Sequence, residues 1–235
     1  MANARHLLRG IVLLTLAVTA ANAQTSSTVE VRARLAFPKN AARHGTPASV
    51  LWLTPLPQTP PAPFPAGQHY TLLQKNRMFK PHLLVIPVGG VVEFPNADPF
   101  FHNVFSLFDG KRFDLGLYEA GSTKSVTFSR EGVSYIFCNI HPEVSAVILT
   151  LSTALYAKAD AGGTFRLTDV PLGDYEMHVW IEGVVQPALN HMSRRVHLTG
   201  SGDLGTVEVP VGLLNPTSHT NLFGQPYDPG VKPTY

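Results

Sequence analysis

One stretch, Phe137-Cys138-Asn139-Ile140-His141-Pro142-Glu143-Val144, holds the only cysteine of this 235-residue chain. His141 follows the cysteine by three residues, and a second histidine lies upstream in Phe101-His102-Asn103-Val104. A single cysteine cannot form an internal disulfide, so it is buried and inert, paired with another chain, or used chemically. A thiolate with two imidazoles is the ligand set of a type 1 copper site. The surrounding sequence decides among these interpretations.

Short apolar stretches with the spacing of β-strands surround these residues. Hydrophobic residues make up 44% of the chain and charged residues 14%, which favours a packed protein over a disordered one. Proline and glycine are plentiful and helical periodicity is scarce, so we predict an all-β fold. The predicted strands are 29–36, 48–54, 83–86, 91–94, 101–108, 125–128, 133–137, 145–152, 164–167, 175–180, 194–198 and 205–211.

The first 23 residues are predicted to be a secretory signal rather than part of the fold. Arg5 and Arg9 precede an apolar run from Ile11 to Ala21, and Ala21-Asn22-Ala23 is a small-residue cleavage site. The run is too short for a comfortable transmembrane helix, although an uncleaved anchor is the alternative. We therefore expect an exported protein, periplasmic or secreted, with no stable membrane insertion.

The charge balance argues against nucleic acid and acidic membrane surfaces as partners. The 18 basic residues of the chain include Arg5 and Arg9, so removal of the predicted signal leaves 16 basic residues against 16 acidic ones. A net charge of zero does not support binding to nucleic acid or to an acidic membrane surface.

The positions of the two histidines suit a metal site at one end of a β-sandwich. Cys138-x-x-His141 places two ligands on one tight loop, and His102 must come from a distant loop. Packed strands hold such ligands nearly still, which favours electron transfer because copper needs little rearrangement. Asn103 is predicted to hydrogen-bond across to the cysteine loop from outside the ligand set. A water-excluding apolar shell is predicted from Phe100, Phe101, Phe105, Phe137, Ile140 and Pro142.

Several motifs between residues 68 and 152 resemble those of the cupredoxins, in the same order. They are similar above all to plastocyanin and amicyanin-like proteins, often labelled methylamine-utilisation proteins. The motifs are Phe79-Lys80-Pro81-His82, Val88-Gly89-Gly90-Val91-Val92-Glu93-Phe94-Pro95-Asn96-Ala97-Asp98, His102-Asn103-Val104 and Cys138-Asn139-Ile140-His141-Pro142. The resemblance implies a Greek-key β-sandwich with copper on His102, Cys138 and His141. It also implies that His141 lies near the surface as the electron port.

Val144 is the main departure from this resemblance. In amicyanin-like loops a methionine stands three residues after the histidine, whereas the valine here has no donor atom. Copper without an axial sulfur should favour Cu(I) and have a raised reduction potential. The alternatives are a site that binds no copper, or an axial oxygen from Glu143.

A second part of the chain resembles a carboxypeptidase-regulatory-like (prealbumin-like) β-sandwich. The motifs are Gly163-Thr164-Phe165, Val170-Pro171-Leu172-Gly173-Asp174-Tyr175 and Trp180. Such sandwiches begin with a strand pair, and 29–36 with 48–54 are the candidates, so we expect the cupredoxin to be inserted after Thr54. The predicted division is a signal at 1–23, N-terminal strands of the regulatory-like sandwich at 24–54, a Pro-rich linker at 55–67, the cupredoxin-like domain at 68–152, the regulatory-like β-sandwich at 153–211 and a C-terminal tail at 212–235.

These observations predict an exported blue-copper protein that carries single electrons. The chain has no Gly-x-Ser-x-Gly elbow and no HExxH helix, so we do not expect an enzyme. The expected partner is a redox protein of unknown identity. The alternative is a copper-free or copper-storing extracytoplasmic module that binds a glycan, a protein or the cell envelope.

Overall fold

The computed structural model describes residues 27–37, 45–107, 110–209, 221–223 and 225. Within these residues the chain is all-β apart from one short helix, which confirms the predicted fold class. No helix in the described ranges is both long and apolar enough to cross a bilayer. The predicted signal at 1–23 and most of the predicted tail at 212–235 lie outside the described residues.

The elements of the described ranges follow one another from residue 28 to residue 208. In chain order they are β1 (Thr28–Ala36), β2 (Ser49–Pro55), β3 (Tyr70–Thr71), β4 (Leu73–Lys75), β5 (Met78–Lys80), β6 (Leu83–Pro87), β7 (Gly90–Pro95), β8 (His102–Ser106), β9 (Phe113–Tyr118), β10 (Thr123–Phe128), β11 (Gly132–Phe137), β12 (Ser145–Leu151), β13 (Tyr156–Lys158), β14 (Thr164–Pro171), β15 (Gly173–Ile181), α1 (Gln186–Met192), β16 (Arg194–Leu198) and β17 (Gly202–Glu208).

The strands around the cysteine stretch form two sheets and a hairpin. The larger sheet has the order β6-β12-β11-β8-β9, and the smaller has the order β10-β7-β3. Strands β6 and β12 run parallel, whereas β11 pairs antiparallel with both β12 and β8. Strands β4 and β5 form a separate antiparallel hairpin. This arrangement brings the start of β8 and the end of β11 to the same end of one sheet.

The remaining strands form two further sheets that combine both ends of the described chain. One has the order β14-β1-β17 and the other β13-β2-β15-β16. Strand β2 is hydrogen-bonded to both β13 and β15, although β3 to β12 lie between β2 and β13 in the sequence. The chain therefore leaves this pair of sheets after β2 and returns to it at β13.

Strand β12 belongs to both hydrophobic cores. Ala146 and Ile148 face the core that contains Cys138, whereas Val147, Leu149 and Leu151 face the core of the other pair of sheets. Side chains alternate between the faces of a strand, so a strand covered on both sides is continuously apolar. This explains the unbroken apolar run that the sequence shows at this position.

The short helix α1 was not predicted from the sequence, and the predicted strands did not include β9 or β13 either. The helix is seven residues long, has proline in its first turn and buries only Leu189 among its residues. A helix with one buried position has no apolar stripe, so its periodicity cannot be detected. The final strand also differs, since it ends at Glu208 rather than at residue 211.

A contact between His82 and Glu182 joins the sheets around the cysteine to the other pair of sheets. His82 Nε2 lies 2.7 Å from Glu182 Oε1, and its Nδ1 lies 3.3 Å from the carbonyl oxygen of Ser145. His82 directly precedes β6, whereas Glu182 directly follows β15. The imidazole thus has a structural role rather than a place among the predicted ligands.

From the His82–Glu182 contact we expect the free energy of unfolding to fall as the pH rises. The hydrogen bond to Glu182 raises the pKa of His82, against the opposing effect of burial. The contribution of the pair is therefore fully present below the ordinary pKa of about 6.5 and is lost as the pH rises through the folded-state pKa. Since the side chain is 44% exposed, we expect a change of only ~0.5 kcal/mol in the free energy of unfolding.

Urea unfolding across this pH range checks the expectation. His82→Gln should remove this part of the pH dependence, whereas His191→Gln on α1 should leave it in place. A pH dependence that persists unchanged in His82→Gln would contradict the assignment.

Candidate metal centre

The cysteine loop is a closed turn between β11 and β12. The N–H of Cys138 donates to the carbonyl of Val144 at 3.2 Å, and the N–H of Val144 donates to the carbonyl of His141 at 3.0 Å. Cys138 and Val144 are both completely buried. These two backbone bonds hold the thiol and the imidazole of the loop in fixed relative positions.

The structure brings the three predicted ligand side chains together. His102 begins β8, which pairs with β11 through Phe105 and Phe137. The Sγ atom of Cys138 lies 3.6 Å from His102 Nδ1 and 3.7 Å from His141 Nδ1. The three donor atoms all lie within 4.8 Å of one another, and all three residues are buried. The histidine 36 residues upstream therefore completes a compact donor set.

Asp98 orients His102, and sequence reasoning did not single it out. Its Oδ2 atom lies 2.9 Å from His102 Nε2, so the other ring nitrogen, Nδ1, faces the thiol. The carboxylate also accepts the N–H of Asn76 at 2.6 Å and the N–H of Arg77 at 2.9 Å. The available signal was the Asp-x-x-x-His spacing, since a carboxylate commonly positions a metal-binding imidazole.

The pKa of Asp98 is consistent with an ionised carboxylate. Burial raises this pKa, but the N–H of Arg77, the imidazole of His102 and the N–H of Asn76 together outweigh burial and lower it. A carboxylate that accepts an imidazole N–H raises the basicity of the imidazole toward a metal.

Asn103 connects the histidine strand to the cysteine loop. Its Oδ1 atom accepts the N–H of Asn139 at 3.2 Å, and its Nδ2 atom donates to Asp114 Oδ1 at 2.7 Å. The side chain is thus held on both sides. Since Asn139 directly follows Cys138, this contact fixes the cysteine relative to β8.

His141 is more deeply buried than expected. The resemblance implied that this imidazole lies near the surface as the electron port, whereas the residue is only 3% exposed, so its edge is not open to solvent. The ring of Phe100 lies 5.6 Å from that of His141 and contributes to covering it. Burial, followed by the charges of His102 and Arg77, lowers the pKa of His141. The imidazole is therefore neutral near pH 7, as metal binding requires.

The phenylalanine shell is smaller than the sequence suggested. Phe100 packs against both imidazoles, with its ring 5.2 Å from that of His102. Phe101 is 55% exposed. Phe105 and Phe137 pack on each other with ring centroids 5.9 Å apart. They alternate with Val104 and Cys138 along their strands, so they lie on the opposite face of the sheet.

The environment of the thiol is dry but contains several N–H donors. Burial raises the pKa of Cys138, while the backbone N–H groups of Asn103, Ile140 and His141 oppose this effect. Such donors stabilise a thiolate once a metal replaces the proton, because they point partial positive charge at sulfur.

Val144 cannot supply an axial ligand. Its side chain is buried in the same core as Cys138 and Ile148 and carries no donor atom. Glu143 is exposed and does not belong to the three-residue donor set. Within the described residues this set therefore has two nitrogens and one sulfur.

A described part of the C-terminal tail touches the cysteine loop. The N–H of Leu222 donates to Asn139 Oδ1 at 2.9 Å. Asn221 accepts the N–H groups of Phe223 and Gln225 with its own Oδ1, both at 2.9 Å. The tail thereby adds a third hydrogen-bonded support to the loop, beside Asn103 and the backbone of Val144.

No protein-family model and no curated protein matches the chain. Similar solved structures include a purple cupredoxin from Nitrosopumilus maritimus, 26% identical, with a TM-score of 0.32 over 35% of this chain and 99% of that one. A copper-containing nitrite reductase (NirK) from Thermus scotoductus SA-01 is 25% identical, with a TM-score of 0.35 over 42% of this chain and 28% of that one. An amicyanin variant in the Cu(I) form is 17% identical, with a TM-score of 0.34 over 35% of this chain and 82% of that one. All three TM-scores are low.

Proposed function

We propose that the protein carries single electrons with one type 1 copper ion held by His102, Cys138 and His141. The observation that supports this most is the convergence of one thiol and two imidazoles in a buried site. A set of two histidines and one cysteine is the ligand set of blue-copper sites. The bound ion supplies the Cu(I)/Cu(II) couple, and the protein supplies its fixed, dry surroundings.

The spacing of the donor atoms fits a metal ion. First-row metals bind sulfur at about 2.3 Å and imidazole nitrogen at about 2.0–2.1 Å, so trigonal ligands stand about 3.8 Å apart. The two sulfur–nitrogen distances here are 3.6 and 3.7 Å. Structural zinc sites have four protein ligands, whereas the described donor set has three, so it does not match a structural zinc site.

The surrounding residues keep the ligands still when the charge of the ion changes. Asp98 holds His102, Asn103 holds the cysteine loop, and Phe100 covers both imidazoles. Each of these contacts acts on a ligand from outside the donor set, where such groups tune affinity and potential. Fixed ligands make electron exchange fast because little structural change accompanies it.

Metal analysis and absorption spectroscopy test this proposal directly. The mature protein loaded with Cu(II) should hold one copper per chain and absorb strongly at about 600 nm, as thiolate-bound copper does. A colourless protein without stoichiometric copper would reject it.

Val144→Met is expected to lower the reduction potential. A thioether at residue 144 would donate to a bound Cu(II) and stabilise it relative to Cu(I). A tenfold change in the preference of the site for Cu(II) over Cu(I) corresponds to about 59 mV for one electron. We expect the reduction potential to fall by at least that order. Potentiometric titration of the copper-loaded protein measures the change.

Val144→Leu is the matched control for this substitution. Leucine has nearly the volume of methionine but no donor atom, so it separates packing from coordination. An unchanged or raised potential in Val144→Met, relative to Val144→Leu, would show that residue 144 is not axial.

We also infer that the copper unit at 68–152 is an insertion in a regulatory-like sandwich at 24–54 and 153–211. The pairing of β2 with β13 and β15 supports this division. Export through the predicted signal at 1–23 is a part of the same proposal. Sequencing the N-terminus of the exported protein tests it, since cleavage after Ala23 leaves Gln24 first.

A second candidate function is glycan binding by the copper-free protein. A surface groove of about 700 Å³ supports it, lined by the Pro-rich segment, β7 and the end of β12. Phe64 and Tyr70 offer aromatic rings there, and Gln68, His69 and Glu93 offer polar groups. Binding of soluble oligosaccharides to the metal-free protein, measured by calorimetry, would favour this function. Its absence, with stoichiometric copper, would favour the first.

A further inference from the structure

The β4–β5 turn lies over the candidate metal centre. Asn76 and Arg77 form its tip and both have positive φ, at 55° and 54°. Two such residues make the tight hairpin turn that matches strand twist, but an arginine in this conformation is strained. Both N–H groups of the tip are accepted by Asp98, whose Oδ2 also meets His102. One carboxylate thus joins the turn to a ligand.

The side chain of Arg77 extends this link to the second ligand. Its guanidinium lies over the ring of Phe100, 5.4 Å from the centroid. The same ring packs against His102 at 5.2 Å and against His141 at 5.6 Å. His141 is itself buried, whereas Arg77, whose guanidinium lies over the ring of Phe100, is exposed.

The outer face of the hairpin is cationic and partly apolar. Gln74 and Phe79 pair across the hairpin and are buried, so Lys75, Met78 and Lys80 lie on the opposite, exposed side. Met78 is 47% exposed, and Phe101, beside Phe100, is also largely exposed. Glu143 on the cysteine loop is exposed, whereas Asp98 beside the turn is buried and accepts three donors. The hairpin thus presents three exposed cations, Lys75, Arg77 and Lys80, together with the exposed Met78.

We propose that this face, formed by Lys75, Arg77, Lys80, Phe100 and Phe101, is the docking surface for an acidic electron-transfer protein. The assignment rests on the proposed function, because it supplies the partner for the same site. Opposite charges accelerate encounter, and exposed apolar side chains provide a short-lived contact. A partner docked on Arg77 stands one aromatic ring, that of Phe100, away from both imidazoles.

The redox-inert trianion hexacyanochromate(III) tests the surface without copper. It is paramagnetic, so it broadens the amide NMR signals of residues near which it docks. We expect broadening centred on residues 75–80 and 100–101 of the metal-free protein. Lys75→Glu and Arg77→Asn should each weaken it severalfold, and asparagine tolerates the positive φ of this position. The matched controls Arg195→Glu and Arg195→Asn, on β16, should leave it unchanged.

The copper-loaded protein provides a second measurement. Oxidation of the reduced protein by hexacyanoferrate(III) transfers one electron from Cu(I) to Fe(III). No proton is transferred and no covalent bond changes. At low salt its rate should fall about three- to tenfold in Lys75→Glu and Arg77→Asn, and this loss should fade as salt is added. The Arg195 variants should react like the unaltered protein.

The outcomes separate the two proposals. Broadening that is not centred on the turn, or that responds equally to the Arg195 variants, overturns the docking surface whether or not copper binds. Rates that are unaffected by Lys75→Glu and Arg77→Asn overturn it as well. Docking of the trianion at the turn in a chain that takes up no copper overturns the proposed function instead, and leaves a surface for an acidic partner.

Discussion

Replacing Cys138 with serine is expected to abolish the absorption at about 600 nm and the tight binding of copper. The intense colour of such sites arises from the thiolate bond, and a hydroxyl is a poor ligand for copper beside two imidazoles. The chain has no other cysteine, so no second thiol can substitute for this one. Serine is close to cysteine in size, and the loop retains its backbone bonds to Val144 and His141. The absorption spectrum and the copper content after dialysis measure the effect.

A variant outside the site shows that the loss is local. His191→Gln removes an exposed imidazole from α1 and should keep both the colour and one copper per chain. Far-ultraviolet circular dichroism of Cys138→Ser confirms that its sheets have formed. A folded Cys138→Ser variant that still absorbs at about 600 nm would show that the Cys138 thiolate is not the copper ligand that gives this absorption.

Replacing Asp98 with asparagine is expected to weaken copper binding by about 10- to 100-fold, the usual cost of losing a partner of a metal-binding histidine. The carboxylate accepts three donors, from His102, Asn76 and Arg77. An amide has one acceptor oxygen, so at least one of these donors meets an NH₂ group instead. The substitution also removes a negative charge near the ion, which should raise the reduction potential. Copper titration against a competing chelator and potentiometry measure the two effects.

Asp160→Asn is the matched control for this loss. Asp160 likewise accepts two backbone N–H groups, those of Gly162 and Thr164, but it contacts no histidine. Asp98→Asn should lower stability by roughly 1–3 kcal/mol, because a donor then meets the NH₂ group in a buried place. Asp160→Asn should cost little, because the exposed Asp160 accepts both N–H groups with Oδ1 alone, which asparagine retains. Only Asp98→Asn should alter copper affinity. Equal affinities in the two variants would show that Asp98 caps the turn without positioning His102.

Local patterns were sufficient for the fold class and for two of the three side chains that the structure brings together, Cys138 and His141. Alternation and turn residues predict most strands because these signals depend on neighbours in the sequence. The lone cysteine, with His141 three residues later, indicated a metal loop for the same reason. His102 required an assumption about strand order, and the structure places it 3.6 Å from the thiol.

Contacts between residues close in space but without a periodic pattern were not predictable. Asp98 lies four residues before His102, yet nothing in the sequence says that its carboxylate also accepts the N–H groups of Asn76 and Arg77. The tail contact between Leu222 and Asn139 joins residues 83 positions apart. Hydrogen bonds of this kind depend on how loops meet, and loop geometry leaves no trace in composition or alternation.

The sequence by itself determined that the chain is all-β, that one thiol and two imidazoles are available, and that position 144 has no donor atom. These properties follow from residue types and from the period of the strands. Only the tertiary structure decided that His141 is buried behind Phe100, and that Arg77 covers that ring. The exposure of a side chain depends on which distant segments pack over it, and here the β4–β5 turn lies over the site because Asp98 accepts both N–H groups of its tip.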